Sequence, residues 1–218
     1  MKKIIVGLIG QTEGFDNDDS LFKDRYYFLD NYSQKIVKNG GIPLGIVMNN
    51  LKLIDEVLEL CDCFVITGGS QILDYHVQII DYALKTNKPL LGICCGMQAM
   101  AVYDHNDQLL EVLNHDFKGL KSNSQAVFHQ INIKKNSILA NIFKTNKLMV
   151  NSYHQYKITN QLNNFWITAV SEDGVIEAIE HKEKWLIGVQ WHPEVLNNMD
   201  VLFKELFKQA RKYKNDKC

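Results

Sequence analysis

The segment Pro89-Leu90-Leu91-Gly92-Ile93-Cys94-Cys95-Gly96-Met97-Gln98 passes from an apolar, strand-like run into a helix-like one, with glycines on either side of two cysteines. Such a hand-over is the strand-to-helix junction of an α/β unit. The chain before it repeats the same unit. Strand-like runs at Lys3 to Ile9, Ile42 to Met48 and Cys63 to Thr67 alternate with amphipathic stretches at Leu21 to Lys38, Leu51 to Leu60 and Ile72 to Lys85. Near-continuous apolar strands joined by helices predict a mostly parallel sheet covered on both faces. Gly40-Gly41 ends the first helix and Lys88-Pro89 opens the fourth strand. After about Asn106 the pattern changes. Ala126 to Ile133, Lys147 to Asn151, Phe165 to Val170, Val175 to Ile179 and Trp185 to Gln190 read as strands of a more antiparallel, hairpin-rich half. Behind Asn197, Val201, Leu202, Leu206, Phe207 and Ala210 stand at helical spacing and predict a closing amphipathic helix. The expectation is one α/β domain over residues 1–218, with the antiparallel region in its C-terminal half.

Composition agrees with one domain. The 218 residues are 46% hydrophobic and 22% charged, enough apolar material for one sizeable core. Lysine plus arginine (24) balance aspartate plus glutamate (25), and no basic block exists, which argues against a nucleic-acid partner. The longest uncharged apolar stretch, Pro89 to Tyr103, is shorter than the roughly 20 residues a membrane span needs. Ile4 to Gly10 runs into Gln11-Thr12-Glu13-Gly14 without a small-residue cleavage site, so it reads as a first strand and not as a signal peptide. Five cysteines, at 61, 63, 94, 95 and 218, suit neither a disulfide framework nor paired C-x-x-C zinc spacing, and the expected compartment is the reducing cytoplasm. His76, His105, His115, His129 and His181 show no spacing that suggests a metal. No metal or organic cofactor is expected.

Cys94 stands two residues after Gly92 and two before Gly96, the nucleophile position of G-x-C-x-G. A tight elbow there would present its sulfur above the sheet edge, and the N-terminal end of the following helix would favour thiolate. The plainer alternative is a pair of small buried core residues. Gly188-Val189-Gln190-Trp191-His192-Pro193-Glu194 supplies a second element. Pro193 biases His192 towards extended geometry, and residues two apart in an extended chain point the same way, so Glu194 lies beside the imidazole. Nucleophile, base and orienting carboxylate together would make a triad of Cys94, His192 and Glu194.

With these segments the chain resembles the class I glutamine amidotransferase-like proteins, and within them the gamma-glutamyl-gamma-aminobutyrate hydrolase family. The resemblance rests on six segments in order: Gly40 to Pro43, Ile66 to Gly69, Gly92 to Gln98, Val150 to Gln155, Asp173 to Ile179 and Gly188 to Glu194. It implies a flavodoxin-like core and a Cys-His-Glu triad that cleaves a γ-glutamyl amide through a thioester. Backbone N–H groups of Gly69 and Cys95 are expected to form the oxyanion hole, beside Gly68, where the missing side chain admits a substrate carbonyl. Gln98 resembles the position that contacts the glutamyl moiety, and Ser152, Tyr153 and His154 are expected on the substrate rim, with Ser152 and His154 facing one cleft from a strand. Asp173 and Glu177 read as hairpin residues, and Cys61 and Cys63 as core.

The chain departs from the family in two places. After Gly69 the helix is expected to be already under way by Ser70 to His76, where relatives carry a long loop, and Tyr103 to Leu109 replaces a second glycine-rich segment. Both departures predict an acceptor side that has lost a wall. The reading is a cysteine hydrolase of γ-glutamyl amides. Its alternatives are a stand-alone glutaminase with a separate synthetase partner, or a silent binding protein on the same fold. A homodimer is compatible with the sequence.

Overall fold

The structure, a computed structural model, describes residues 3–13, 25–47, 54–105, 109–112, 115 and 128–216. In chain order the first half contains β1 (Ile4–Ile9), β2 (Gln11–Glu13), β3 (Arg25–Tyr27), α1 (Asp30–Lys38), β4 (Gly41–Ile46), α2 (Ile54–Glu59), β5 (Cys63–Ile66), α3 (Asp74–Thr86), β6 (Leu90–Ile93) and α4 (Cys95–His105). The second half contains β7 (Leu110–Glu111), β8 (Phe128–Ile133), α5 (Ile138–Phe143), β9 (Lys147–Asn151), β10 (Tyr156–Lys157), β11 (Phe165–Ser171), β12 (Ile176–His181), β13 (Leu186–Val189) and α6 (Asp200–Asp216).

Among the described residues, both halves feed one nine-stranded sheet, ordered β4-β1-β5-β6-β13-β12-β11-β8-β9. β4, β1, β5, β6 and β13 run parallel, and β12, β11, β8 and β9 continue the sheet antiparallel. The expected α/β sheet with an antiparallel C-terminal region is therefore present. β13 differs from the expectation in one respect, because it pairs parallel with β6 on one side and antiparallel with β12 on the other.

Strand alternation sorts the core onto two faces. Val65, Leu91, Ile93, Ile187 and Val189 face Tyr32 and Ile36 of α1 and Leu202, Phe203, Leu206 and Phe207 of α6. Phe64, Ile66, Leu90 and Leu186 face Ile79 and Ile80 of α3 and Met97 and Met100 of α4. Each fully buried side chain of this kind contributes about 1.5–3 kcal/mol, so the sheet centre is the most firmly held part of the molecule.

Two local expectations need correction. Arg25 to Tyr27 is not helical but forms a hairpin strand with β2, tied by an Arg25–Glu13 ion pair, and α1 begins only at Asp30. Residues 21–24 and 51–53 of the expected helices, and 48 and 126–127 of expected strands, lie outside the described residues. Ser70 to Leu73 is not yet helix. Leu73 is extended (φ −111°, ψ 150°), its N–H donates to Nδ1 of His76 at 3.3 Å, and α3 starts after it. The short helix α5, which the sequence does not suggest, is capped by the Ser137 hydroxyl and by the Glu180 carboxylate, which accepts the Ile138 and Leu139 N–H groups. No helix among the described residues is long and apolar enough to cross a membrane.

Candidate active site

The site is assembled where β6 and β13 lie side by side. Gly92 pairs with Gly188 and Ile93 with Val189, so the chain leaves both strands at the same level. Cys94 then adopts φ +52°, a left-handed conformation that a side chain tolerates only under tertiary constraint, and its N–H donates to the Val189 carbonyl at 2.8 Å. The flanking glycines are sterically required. A Cβ on Gly92 would sit 2.6 Å from the Gly96 carbonyl oxygen, and one on Gly96 would sit 2.5 Å from the Ile66 carbonyl oxygen. The elbow expected from G-x-C-x-G is thus formed, and α4 begins at Cys95 directly behind it.

His192 Nδ1 lies 2.7 Å from Glu194 Oε1. The proximity does not come from an extended chain as expected, because Pro193–Val195 is a 3₁₀ turn that folds the carboxylate back onto the ring. Asn151, at the end of β9, accepts the His192 N–H through Oδ1 at 3.0 Å. Lys35 on α1 donates to the Leu196 carbonyl at 2.7 Å and pairs with Asp200 at 2.8 Å, which pins the turn from the other side. Burial opposes charge on the ring, but the neighbouring Cys94 sulfur and Glu194 carboxylate outweigh it and hold the His192 pKa well above the ordinary value. Sulfur and imidazole flank Gly68, where an added Cβ would lie 2.7 Å from His192 Cε1 and 3.3 Å from Cys94 Cβ.

The Gly68 N–H is not free for a ligand, since it donates to the Tyr32 hydroxyl at 2.9 Å. Tyr32 is fully buried, and burial followed by the Glu194 carboxylate raises its pKa well above the phenol range. Gly69 comes next, packed on Gln11 so tightly that a Cβ would be 2.0 Å from Gln11 Cδ. Cys95 is the first residue of α4, where N–H groups have no intrahelical acceptor. Its side chain is a different matter: Sγ–H donates to the Gln71 carbonyl at 3.1 Å, and burial pushes its pKa up to about 12. Tyr32, Lys35 and Gln11 carry no local motif that marks them as site residues, whereas Asn151 lies in the Val150 to Gln155 segment, which the sequence reading used without assigning it a role.

The rim residues divide. Tyr153 is exposed, its ring lies 5.9 Å from that of His192, and its carbonyl accepts from Cys94 Sγ at 3.8 Å. Gln98 lines the cavity, but its amide nitrogen is spent on the Tyr156 carbonyl (2.9 Å) and on Gln190 Oε1 (3.1 Å). Ser152 and His154 are not in a strand, because β9 ends at Asn151. Ser152 turns inward onto His115, and the His154 ring, 1% exposed, is bonded to His115 and the Tyr156 carbonyl, with burial pushing its pKa down to about 3. These two side chains look into the protein. A cavity of about 610 Å³ at Cys94 and His192 is lined, among others, by Tyr27, Leu29, Ile72, Leu109, Tyr153 and Tyr156, so apolar and aromatic side chains from outside Ser70 to His76 contribute to its surface.

Known proteins resemble the chain in sequence and in fold. The chain is 26% identical to a glutamine-hydrolyzing GMP synthase subunit of Picrophilus torridus over 86% of its own length and all of that protein. It is 31% identical to the gamma-glutamyl-CDP-amidate hydrolase of Campylobacter jejuni, over 61% of this chain and 57% of that one. A crystal structure of a Thermoplasma acidophilum protein, described as a GMP synthase subunit, superposes with a TM-score of 0.73 at 17% identity, covering 100% of this chain and 98% of the other. The sequence profile of Peptidase C26 matches residues 4–78 and 73–194. The chain belongs to the Peptidase C26 family, among the class I glutamine amidotransferase-like proteins.

Proposed function

We propose that the protein hydrolyses a γ-glutamyl amide bond, as in γ-glutamyl-γ-aminobutyrate, through a γ-glutamyl thioester on Cys94. The observation that carries the reading is the 2.7 Å His192–Glu194 contact beside a cysteine on a positive-φ elbow. Cys94 sulfur attacks the γ-carbonyl carbon, and the tetrahedral oxyanion is met by the N–H groups of Gly69 and Cys95. The C–N bond breaks as His192 gives its proton to the departing amine. Water, deprotonated by His192, then adds to the thioester, the C–S bond breaks, and glutamate leaves with the thiol restored. Glu194 keeps the ring in the orientation that leaves Nε2 for the reacting groups, with the Cys94 sulfur beside the ring. Tyr153 and Gln98 line the cleft in which the substrate sits.

The apolar and aromatic wall opposite the sulfur favours an amine larger than ammonia as leaving group. A second reading has its own support, since similarity to a GMP synthase subunit extends over that protein's whole length: a glutaminase that delivers ammonia to a separate synthetase. Glutamate release from a panel of γ-glutamyl amines and from free glutamine separates the two. Turnover of γ-glutamyl amines by the isolated chain is expected. Turnover of glutamine alone, and only with a partner added, would establish the second reading instead.

A further inference from the structure

Behind the substrate rim the fold gathers side chains that are far apart in sequence. Glu177 on β12 is fully buried, and its Oε1 lies 3.1 Å from His129 Nε2 on β8, 3.8 Å from His115 Nδ1 and 3.8 Å from His154 Nε2. His115 Nδ1 and His154 Nε2 are themselves 3.1 Å apart. One donor atom from each of His115, His129 and Glu177 falls within 4.8 Å of the others, and Glu177 Oε2 has no hydrogen-bond partner among the described residues.

The hydrogen-bond partners fix the tautomers and leave the centre of the cluster short of positive charge. His154 Nδ1 faces the Tyr156 carbonyl at 3.0 Å and must donate to it, so Nε2 of the neutral ring carries a lone pair. His115 Nε2 faces the Asp173 carboxylate at 2.9 Å and must donate likewise, so its Nδ1 also carries a lone pair. These two lone pairs point at each other across 3.1 Å. The Ser152 hydroxyl, 3.0 Å from both the His115 carbonyl and His115 Nδ1, has one proton to divide between them. Two nitrogens and a buried carboxylate oxygen thus converge with fewer protons than acceptors.

We infer that this cluster is a binding site for a divalent transition cation of the Zn²⁺ class, held by His115, His129 and Glu177 with His154 beside them. In a tetrahedral zinc site, metal–nitrogen and metal–oxygen bonds of about 2.0–2.1 Å put neighbouring donor atoms about 3.3 Å apart. Four of the six separations among these donor atoms, 3.1, 3.1, 3.8 and 3.8 Å, bracket that spacing, and the His115 and His129 donors lie within 4.8 Å of each other. Imidazole and carboxylate are also the ligand types such ions prefer, and Asp173 and the Tyr156 carbonyl supply outer hydrogen bonds that orient the rings. The site joins β8, β12 and the segment Ser152–His154, whose middle residue presents its carbonyl to the Cys94 sulfur. Cation binding there would fix the rim without entering the reaction.

The test uses the full chain with Cys94→Ser and Cys218→Ser, so that neither thiolate competes. The chain is equilibrated with Zn²⁺, desalted and assayed for metal, and Co²⁺ affinity is followed by its visible absorption. About one ion per chain is expected, bound at least about 100-fold more weakly after Glu177→Gln or His129→Asn. Circular dichroism melting shows that each variant is folded, and two independent variants guard against one that is not. Failure of the parent chain to retain zinc would overturn the site and leave a shared proton as the occupant. Uptake that neither variant weakens would overturn the ligand assignment. The result is independent of whether γ-glutamyl amides are the substrate, because no arm of the test reads activity.

Discussion

Gly68 offers the most direct test of the catalytic geometry, because it is the floor on which sulfur and imidazole meet. A methyl group there would lie 2.7 Å from His192 Cε1, 3.2 Å from the Tyr32 oxygen and 3.3 Å from Cys94 Cβ. Carbon atoms pack comfortably at about 3.5–4.0 Å, so Gly68→Ala forces the imidazole back by about 1 Å. The ring has little room to retreat, since its other side is held by Glu194 at 2.7 Å and its backbone by Asn151 at 3.0 Å. A misplacement of this size costs about 100-fold in rate, or about 2.7 kcal/mol of transition-state stabilisation. The assay is kcat/KM for glutamate release, with a thermal melt of the same preparation. Gly45→Ala serves as control, because its nearest contact is the edge of the Phe28 ring at 3.2 Å. A Gly68→Ala protein with kcat/KM within about threefold of the parent at an unchanged melting temperature would refute the placement of the chemistry beside Gly68.

Other expectations concern single groups. Cys94→Ser loses at least about three orders of magnitude in turnover, whereas Cys95→Ser, which alters a thiol kept protonated by burial, retains most activity; the two rates measured side by side decide it. Glu194→Gln costs little further in a chain already carrying His192→Ala, because the carboxylate acts through the ring, and additive losses in the double-mutant cycle would contradict that. The His192 pKa falls when Cys94 becomes serine, as read by NMR titration. The stabilisation that depends on a protonated His192 is present at low pH and lost as the pH climbs through its raised pKa, so the variant shows less of this alkaline loss. Burial lowers the His76 pKa to about 4 from an unfolded value near 6.5, so folding stability is complete above pH 6.5 and drops by up to about 3 kcal/mol as the pH falls towards 4. His76→Gln removes that slope in urea titrations.

Much of this is legible along the chain because it is written locally. The β–α alternation, the elbow glycines around Cys94 and the Gly-x-x-x-His-Pro-Glu run at residues 188–194 each lie within a few neighbours of the residue they explain. What escapes is tertiary. Tyr32 reaches Gly68 over 36 positions and Lys35 reaches Leu196 over 161, contacts that no periodicity encodes. Placing Ser152 and His154 in the cleft requires a strand that continues through them, whereas the end of β9 at Asn151 turns both side chains inward. A lost acceptor wall is a local inference as well. Tyr27, Leu29 and Leu109 line the cavity from segments distant in sequence, which no local reading supplies. The histidines show no metal spacing because their meeting point exists only once β8 and β12 have entered the sheet.

The pairing of β6 with β13 has a consequence for how such a protein diversifies. Cys94 and His192 follow the ends of the adjacent strands β6 and β13 at the middle of the nine-stranded sheet, in a register set by Gly92–Gly188 and Ile93–Val189. Tyr27, Leu29, Leu109, Tyr153 and Tyr156, which line the cavity, all belong to excursions outside that sheet. Lengthening, trimming or exchanging an excursion leaves the ladder at the centre untouched. On the function proposed above, bond cleavage and selectivity for an amine are therefore carried on separate parts of the chain, so that a change in the cavity lining alters one without the other.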